Sequence, residues 1–206
     1  LMRLLVTRHG QTTNNLYRIM QGQCDSPLTD IGLLSAKELG LALKDIPIDV
    51  VIHTPLKRTH DTAKLIIGDR PIPMMVDERF IEMHLGTWEM QSVDALKDSG
   101  VMDVYLKDPE HFVPDHGGES YHDLEHRLID GLKDLAQRYP DKTVLIVCHA
   151  IVKRALIRYA TQRPWPDFRN GKWPYGCSLT IFEVDVNGKP TLIDECLTDH
   201  LSNLTK

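Results

Sequence analysis

The chain has 206 residues, a net charge of −5 from 24 Lys plus Arg against 29 Asp plus Glu, and 42% hydrophobic residues. At about 150 residues per domain this suits one domain, with a core large enough to need no disulfide or metal staple. The longest stretches without Asp, Glu, Lys or Arg, Thr143 to Val152 and Trp173 to Phe182, reach only about half of a bilayer span, and no block of five or six basic residues occurs, so neither a membrane nor a nucleic acid is an expected partner.

In chain order, Arg3 to Thr7 is a short apolar run of the kind found in buried strands. It begins straight after Met2 and leaves no room for a charged and then apolar leader, so the expected location is the cytoplasm. Thr29 caps a predicted helix to about Lys44, in which Leu34, Leu39, Ala42 and Leu43 recur near a 3.6 period. Asp49 to His53 reads as a second buried strand. Thr54-Pro55 then reads as the N-cap and first residue of a helix reaching Ile67. Met83 to Gly118 is less periodic and is the expected cap over a site. Ser120 with Asp123 resembles a capping box for a long helix with an inner stripe of Leu124, Leu128, Leu132, Leu135 and Tyr139. Thr143 to Cys148 is the third buried strand, followed by a helix from Ala150 to Thr161. Ser178 to Val186 and Thr191 to Leu197, joined by Asn187-Gly188, form a predicted hairpin. Strands alternating with helices predict a three-layer α/β domain, a mostly parallel sheet with helices on both faces. Cys24, Cys148, Cys177 and Cys196 are widely spaced, which predicts reduced, mostly buried thiols rather than a disulfide framework or zinc knuckle.

Ligands of an open parallel sheet bind beyond the carboxyl ends of its strands. The first strand runs into Arg8-His9-Gly10, the second into Thr54-Pro55-Leu56-Lys57-Arg58, and the third into His149-Ala150. Two arginines and two histidines thus converge on one sheet edge and call for an anion. Phosphate suits them best, because arginine forks match its oxygens and the helix opened by Thr54-Pro55 would add N–H donors. A single histidine after a strand is more often a plain core or surface residue; the coincidence of three strand ends outweighs that.

Arg8-His9-Gly10-Gln11-Thr12-Thr13-Asn14-Asn15 resembles the R-H-G-[EQ]-T-x-x-N signature of the histidine phosphatase superfamily, whose fold is phosphoglycerate mutase-like. The resemblance continues through Gln21-Gly22, Asp25 to Thr29, Thr54 to Thr59, Glu82 to Glu89, Gly118 to Ser120, Cys148 to Ala150 and Tyr175 to Ser178. It implies a metal-independent phosphomonoesterase acting on a small phosphorylated metabolite without a cofactor, closest to the broad-specificity phosphatases. His9 would carry the phosphoryl group, with Arg8, Arg58 and His149 holding its oxygens. Glu82 would be the general acid, and Asn15, Gln21, Gly22 and Ala150 would line the pocket. The pattern departs at His53-Thr54, where a serine pair is usual, at Cys148 in place of Ser or Thr, and at Ala150 in place of Gly.

A phosphoglycerate mutase is the alternative. Such mutases tend to carry paired basic residues in the cap, whereas Trp88 to Gly118 offers only Lys97 and Lys107. A silent phosphate-recognition module is disfavoured because all five core groups are present. His122-Asp123-Leu124-Glu125-His126 matches an inverted zinc-peptidase motif, but each histidine lies about 200° around the helix from Leu124 and should face solvent. Trp88 and Phe168 read equally as core or pocket. The Pro-rich stretch from Trp165 to Tyr175 could bring aromatic faces to the site.

Overall fold

The computed structural model describes all residues, Leu1–Lys206. Its strands are β1 (Met2–Arg8), β2 (Val50–His53), β3 (Met74–Val76), β4 (Thr143–Cys148), β5 (Leu179–Val184) and β6 (Pro190–Leu197), and they form one sheet in the order β3-β2-β4-β1-β5-β6. The first four run parallel to one another, and β5 is antiparallel to both β1 and β6. The helices are α1 (Thr13–Leu16), α2 (Asp30–Ala42), α3 (Lys57–Ile67), α4 (Val93–Asp98), α5 (Asp103–Lys107), α6 (Tyr121–Arg138) and α7 (Ala150–Thr161). No helix is long and apolar enough to cross a membrane.

The central strands are apolar on both faces because each face is covered. Leu4, Val6, Val50, Ile52, Val144 and Ile146 face a core built with α6 and α7. Leu5, Val51, Leu145 and Val147 face a smaller core completed by Ala36 and Leu39 of α2 and Ala63, Ile66 and Ile67 of α3. The alternation follows the two-residue period of a strand, and it aims the β1 and β4 carboxyl ends at the same edge. Their register pairs Arg8 with Cys148, so His9 and His149 leave the sheet side by side.

The caps of two helices match expectation. Thr29 Oγ1 accepts the Gly32 N–H at 3.1 Å and Ser120 Oγ accepts that of Asp123 at 3.0 Å. Leu124, Leu128, Leu132 and Leu135 are buried along α6, whereas Tyr139 falls past the helix end as its half-buried C-cap. The second predicted cap is corrected. The helix α3 begins at Lys57 and Leu56 stands at its N-cap with no side-chain bond of its own; the Thr54 hydroxyl accepts the Leu56 N–H at 3.4 Å and is shared with Thr59 and His149.

Between Met83 and Gly118 the chain forms only short helices and turns, held by aromatic packing. Trp88 stacks on His116 with centroids 3.9 Å apart, Tyr105 stacks on Tyr121 at 5.4 Å, and Phe112 packs against both tyrosines. Gly86 has φ +54°, and a Cβ there would lie 2.1 Å from the His116 carbonyl oxygen, so only glycine lets this segment close. Trp88 and Phe168 are both core residues.

Candidate active site

His9 follows β1 and is buried. Its Nδ1–H donates to the Gly10 carbonyl oxygen at 2.7 Å, which fixes the tautomer and leaves Nε2 unprotonated, with its lone pair as an acceptor. Nε2 faces Arg58, whose Nε–H donates to it at 3.3 Å. Burial first, then the charges of Arg58 and Arg8, hold His9 well below the ordinary imidazole range, outweighing the bond to Gly10. The ring is therefore neutral at physiological pH, as a nucleophile must be.

Arg58 reaches this place from α3. Its Nη2 donates to the Gly22 carbonyl at 2.7 Å, and its Nη1 donates to the Cys24 carbonyl and to Asp25 Oδ1, the latter at 3.1 Å. The loop carrying those acceptors needs glycine at position 22, where φ is +52° and a Cβ would meet Glu89 Oε1 at 2.3 Å. Asp25 also accepts the Lys57 N–H, so the first donor of α3 is spent within the protein and is not offered to a ligand. Arg8 lies at the end of β1, with Nη1 donating to the Pro174 carbonyl at 3.1 Å and its buried Nε lacking any partner. Burial lowers Arg8 to about 10, and Arg58 pushes the same way against the pull of Glu82.

Glu82 is 8% exposed. One carboxyl oxygen accepts the Met83 N–H at 2.9 Å and the other accepts the Ile151 N–H, from the first turn of α7, at 3.3 Å. Burial raises its pKa above the ordinary carboxylate range despite those donors and the charges of Arg58 and Arg8. His149, the N-cap of α7, packs edge-on against His9 with centroids 5.5 Å apart. Its Nε2 lies 3.1 Å from Thr54 Oγ1, and its buried Nδ1 has no partner. The threonine at the departing position thus supplies a hydroxyl to His149.

These groups meet at a cavity of about 380 Å³. Of the residues singled out in the sequence, Arg8, His9, Asn15, Gln21, Gly22, Arg58, Glu82 and Ala150 all line it. His149 is brought beside His9 but sits behind the wall. Asn15 Oδ1 is committed to capping α1, accepting from Thr12, and Gln21 Oε1 accepts from Ser26. Trp173 and Pro174 fulfil the expectation for the Pro-rich stretch, while Trp165 packs against Arg158, whose guanidinium lies 3.6 Å above its ring. Two charged lining residues are new, Arg154 and Arg169, and they join Lys97, the one basic residue that Trp88 to Gly118 contributes to the wall. Arg154 was within reach of sequence reasoning, since it stands one turn after Ala150 on the same face of α7; Arg169 lies in irregular chain and had no such signal. The histidines of the zinc-peptidase motif are exposed, with His122 bonded to the Glu110 carbonyl and Glu125 paired with Arg158 at 2.7 Å.

Comparison with known proteins agrees with this geometry. The chain is 28% identical over 190 residues to an adenosylcobalamin/alpha-ribazole phosphatase of Escherichia coli, covering 91% of this chain and 92% of that protein. It is 33% identical over 178 residues to a glucosyl-3-phosphoglycerate phosphatase of Mycolicibacterium vanbaalenii, covering 80% of this chain and 77% of the other. Among solved structures, YhfR of Bacillus stearothermophilus superposes with a TM-score of 0.93 at 33% identity, covering 98% of this chain and all of that one. The sequence profile of the histidine phosphatase superfamily, branch 1, matches residues 4–193, and the chain belongs to that family.

Proposed function

We propose that the protein is a phosphomonoesterase that hydrolyses small organic phosphates through a phosphohistidine on His9, with no metal in the reaction. The observation that carries this is the His9 tautomer: a neutral ring whose unprotonated Nε2, held by a long bond from Arg58, belongs to a cavity lined by Arg8, Arg58 and a carboxyl poised to be protonated. In the first step Nε2 attacks phosphorus and the bond to the leaving oxygen breaks, with Glu82 giving that oxygen its proton. Arg8, with an unpartnered N–H in the site, and Arg58 hold the equatorial oxygens as charge spreads over them. In the second step Glu82 takes a proton from water, the oxygen attacks phosphorus, and the P–N bond breaks to release phosphate and regenerate the lone pair. His149 supports the ring of His9 from behind and is itself braced by the Thr54 hydroxyl. The segment from Met83 to Gly118 serves as the cap, through Leu85, Val93, Met102, Tyr105 and Leu106 of the cavity wall. A cytoplasmic setting fits the four cysteines, which are all unpaired.

Rapid quenching with a ³²P-labelled phosphomonoester should trap acid-labile, base-stable label on His9, and His9→Ala should trap none. Label on Ser, Cys or a carboxylate would refute the mechanism. Phosphoglycerate mutase activity shares the same intermediate and differs in the acceptor. Release of inorganic phosphate should far exceed interconversion of 2- and 3-phosphoglycerate, and full activity should persist in EDTA.

A further inference from the structure

Of the arginines that are not exposed, four lack an acidic partner; Arg70 spends its donors on the Leu43 and Ile46 carbonyls, and the other three, Arg8, Arg154 and Arg169, line the same cavity. The other largely buried arginines are matched: Arg58 with Asp25, Arg127 with Glu119 and Arg158 with Glu125. Arg8 is explained by the transferring phosphoryl group. Arg154 and Arg169 are not.

Arg154 is 7% exposed and makes no hydrogen bond or ion pair; its guanidinium rests over the Trp173 ring, 5.2 Å from the centroid. Glu195, an acid close enough to influence it, is held by Arg163 at 3.6 Å. Arg169 Nε is buried without an acceptor, while Nη2 donates to the Tyr105 carbonyl and the Tyr121 hydroxyl and the guanidinium stacks on the Tyr105 ring at 4.6 Å. These contacts aim the two cations without neutralising them, and each lies in the field of the other. Two cations lining one cavity without an acid of their own are unfavourable there unless an anion joins them. Lys97, exposed at the rim and without an acidic partner, adds a third positive charge, and Glu82 is the one acid among the lining residues. Much of the remaining wall is apolar, from Ile19, Met20, Leu85, Val93, Met102 and Leu106.

Building on the phosphomonoesterase reading above, we infer that Arg154 and Arg169 form a second anion subsite, so that the preferred substrate is a phosphomonoester carrying a second acidic group on a short carbon chain. The phosphoryl group lies at His9, the chain along the apolar wall, and the second anion between the two guanidiniums, where forked, charge-assisted bonds replace the missing partners.

The test uses matched pairs that differ only by a carboxylate in place of a hydroxymethyl group: 3-phosphoglycerate against glycerol 3-phosphate, and 6-phosphogluconate against glucitol 6-phosphate. In at least one pair the acid should be favoured in kcat/KM by tenfold or more. Arg154→Gln and Arg169→Gln should each reduce that ratio by about tenfold, chiefly through KM of the acid. Arg154→Lys, which keeps the charge, should hold most of the ratio, and Lys97→Gln at the exposed rim should lower it two- to threefold. A ratio near one in both pairs, or one unmoved in the double Gln variant, would overturn the subsite. Should the protein hydrolyse none of the four, the hydrolytic reading fails by itself. Calorimetry on the same compounds then decides the subsite: the acids must bind more tightly than the alcohols, and equal affinity refutes it.

Discussion

Replacing Glu82 by Gln separates proton donation from positioning. The carboxyl receives two N–H donors on separate oxygens, from Met83 at 2.9 Å and Ile151 at 3.3 Å. The amide keeps one oxygen acceptor and turns its NH₂ toward the other donor, so one hydrogen bond is lost, about 1 kcal/mol, or less than tenfold in rate for any substrate. Loss of the general acid is a separate cost of about 10²- to 10⁴-fold, and it falls only on leaving groups that need a proton. Glycerol 3-phosphate, which leaves as an alkoxide, should therefore lose about 10²-fold or more in kcat, and p-nitrophenyl phosphate about tenfold at most. Glu82 is held above the ordinary carboxylate range by burial, so in the wild type the protonated form persists to higher pH than for an exposed glutamate. Raising the pH through that value should slow the alkyl ester relative to the nitrophenyl ester, and E82Q should abolish this divergence. Two neighbouring acids serve as controls. Glu78 is exposed, and E78Q should change neither substrate. Glu89 accepts the Gln23 and Leu85 N–H groups, and E89Q should lower both substrates alike by loosening the loop. Equal losses on both esters for E82Q would refute the assignment of the proton to this carboxyl.

Two further outcomes follow from the buried imidazoles. His9 and His149 are both held well below the ordinary histidine range, by burial first and then by Arg58. Above about pH 6.5 they are neutral in both folded and unfolded chains; below it the unfolded chain takes up protons that the folded one refuses. Stability should therefore fall as pH drops from about 6.5, by about 1.4 kcal/mol per pH unit for each ring, read from urea midpoints between pH 7 and pH 5. A flat profile in H149N as well as in the wild type would contradict the assigned neutrality. Thr54→Val removes the hydroxyl that bonds His149 Nε2 and Thr59 Oγ1, at 3.1 and 2.9 Å, and leaves both ring nitrogens of a buried histidine without partners. It should cost about 1–3 kcal/mol, or about 2–4 °C of Tm per kcal/mol, together with a loss in kcat. An unchanged Tm would mean that the hydroxyl does not hold the ring.

The sequence was most readable where one local rule decided the outcome. Strands β1, β2 and β4 are apolar on both faces because both are covered, and such runs stand out in a chain of ordinary composition. His9 and His149 could be placed together because each directly follows a strand, and strand ends of a parallel sheet share an edge. Reading failed where a distant partner decided. Thr54 has the chemistry of a helix cap, but its hydroxyl is shared with His149, 95 positions away. Strand β3, three residues at the sheet edge after Pro71 and Pro73, is too short and too exposed to show a period. The segment over the cavity is held by stacked aromatic rings rather than by a repeating stripe, so nothing in its spacing announced its shape. Arg169 escaped for the same reason: what makes it functional is the absence of an acid around it, which no linear pattern records.

Burial acts on the proposed nucleophile and the proposed acid in opposite directions. It lowers the His9 imidazole, keeping its lone pair, and raises the Glu82 carboxyl, keeping its proton. The arginines do not have this symmetry: Arg58 and Arg8 push both values down, helping His9 and opposing Glu82. Glu82 nevertheless remains raised, so desolvation outweighs two nearby cations there, and burial of the carboxyl is what makes a cation-rich site compatible with a protonated acid. An incoming phosphate dianion helps Glu82 keep its proton, since its charge offsets the arginines and disfavours the carboxylate, while it draws the His9 imidazole back up, against the hold of burial. Opening the wall to water would reverse the effect of burial. His9 would rise toward its ordinary value and Glu82 would fall toward its own, so that a cap loosened far from either residue would weaken nucleophile and acid together.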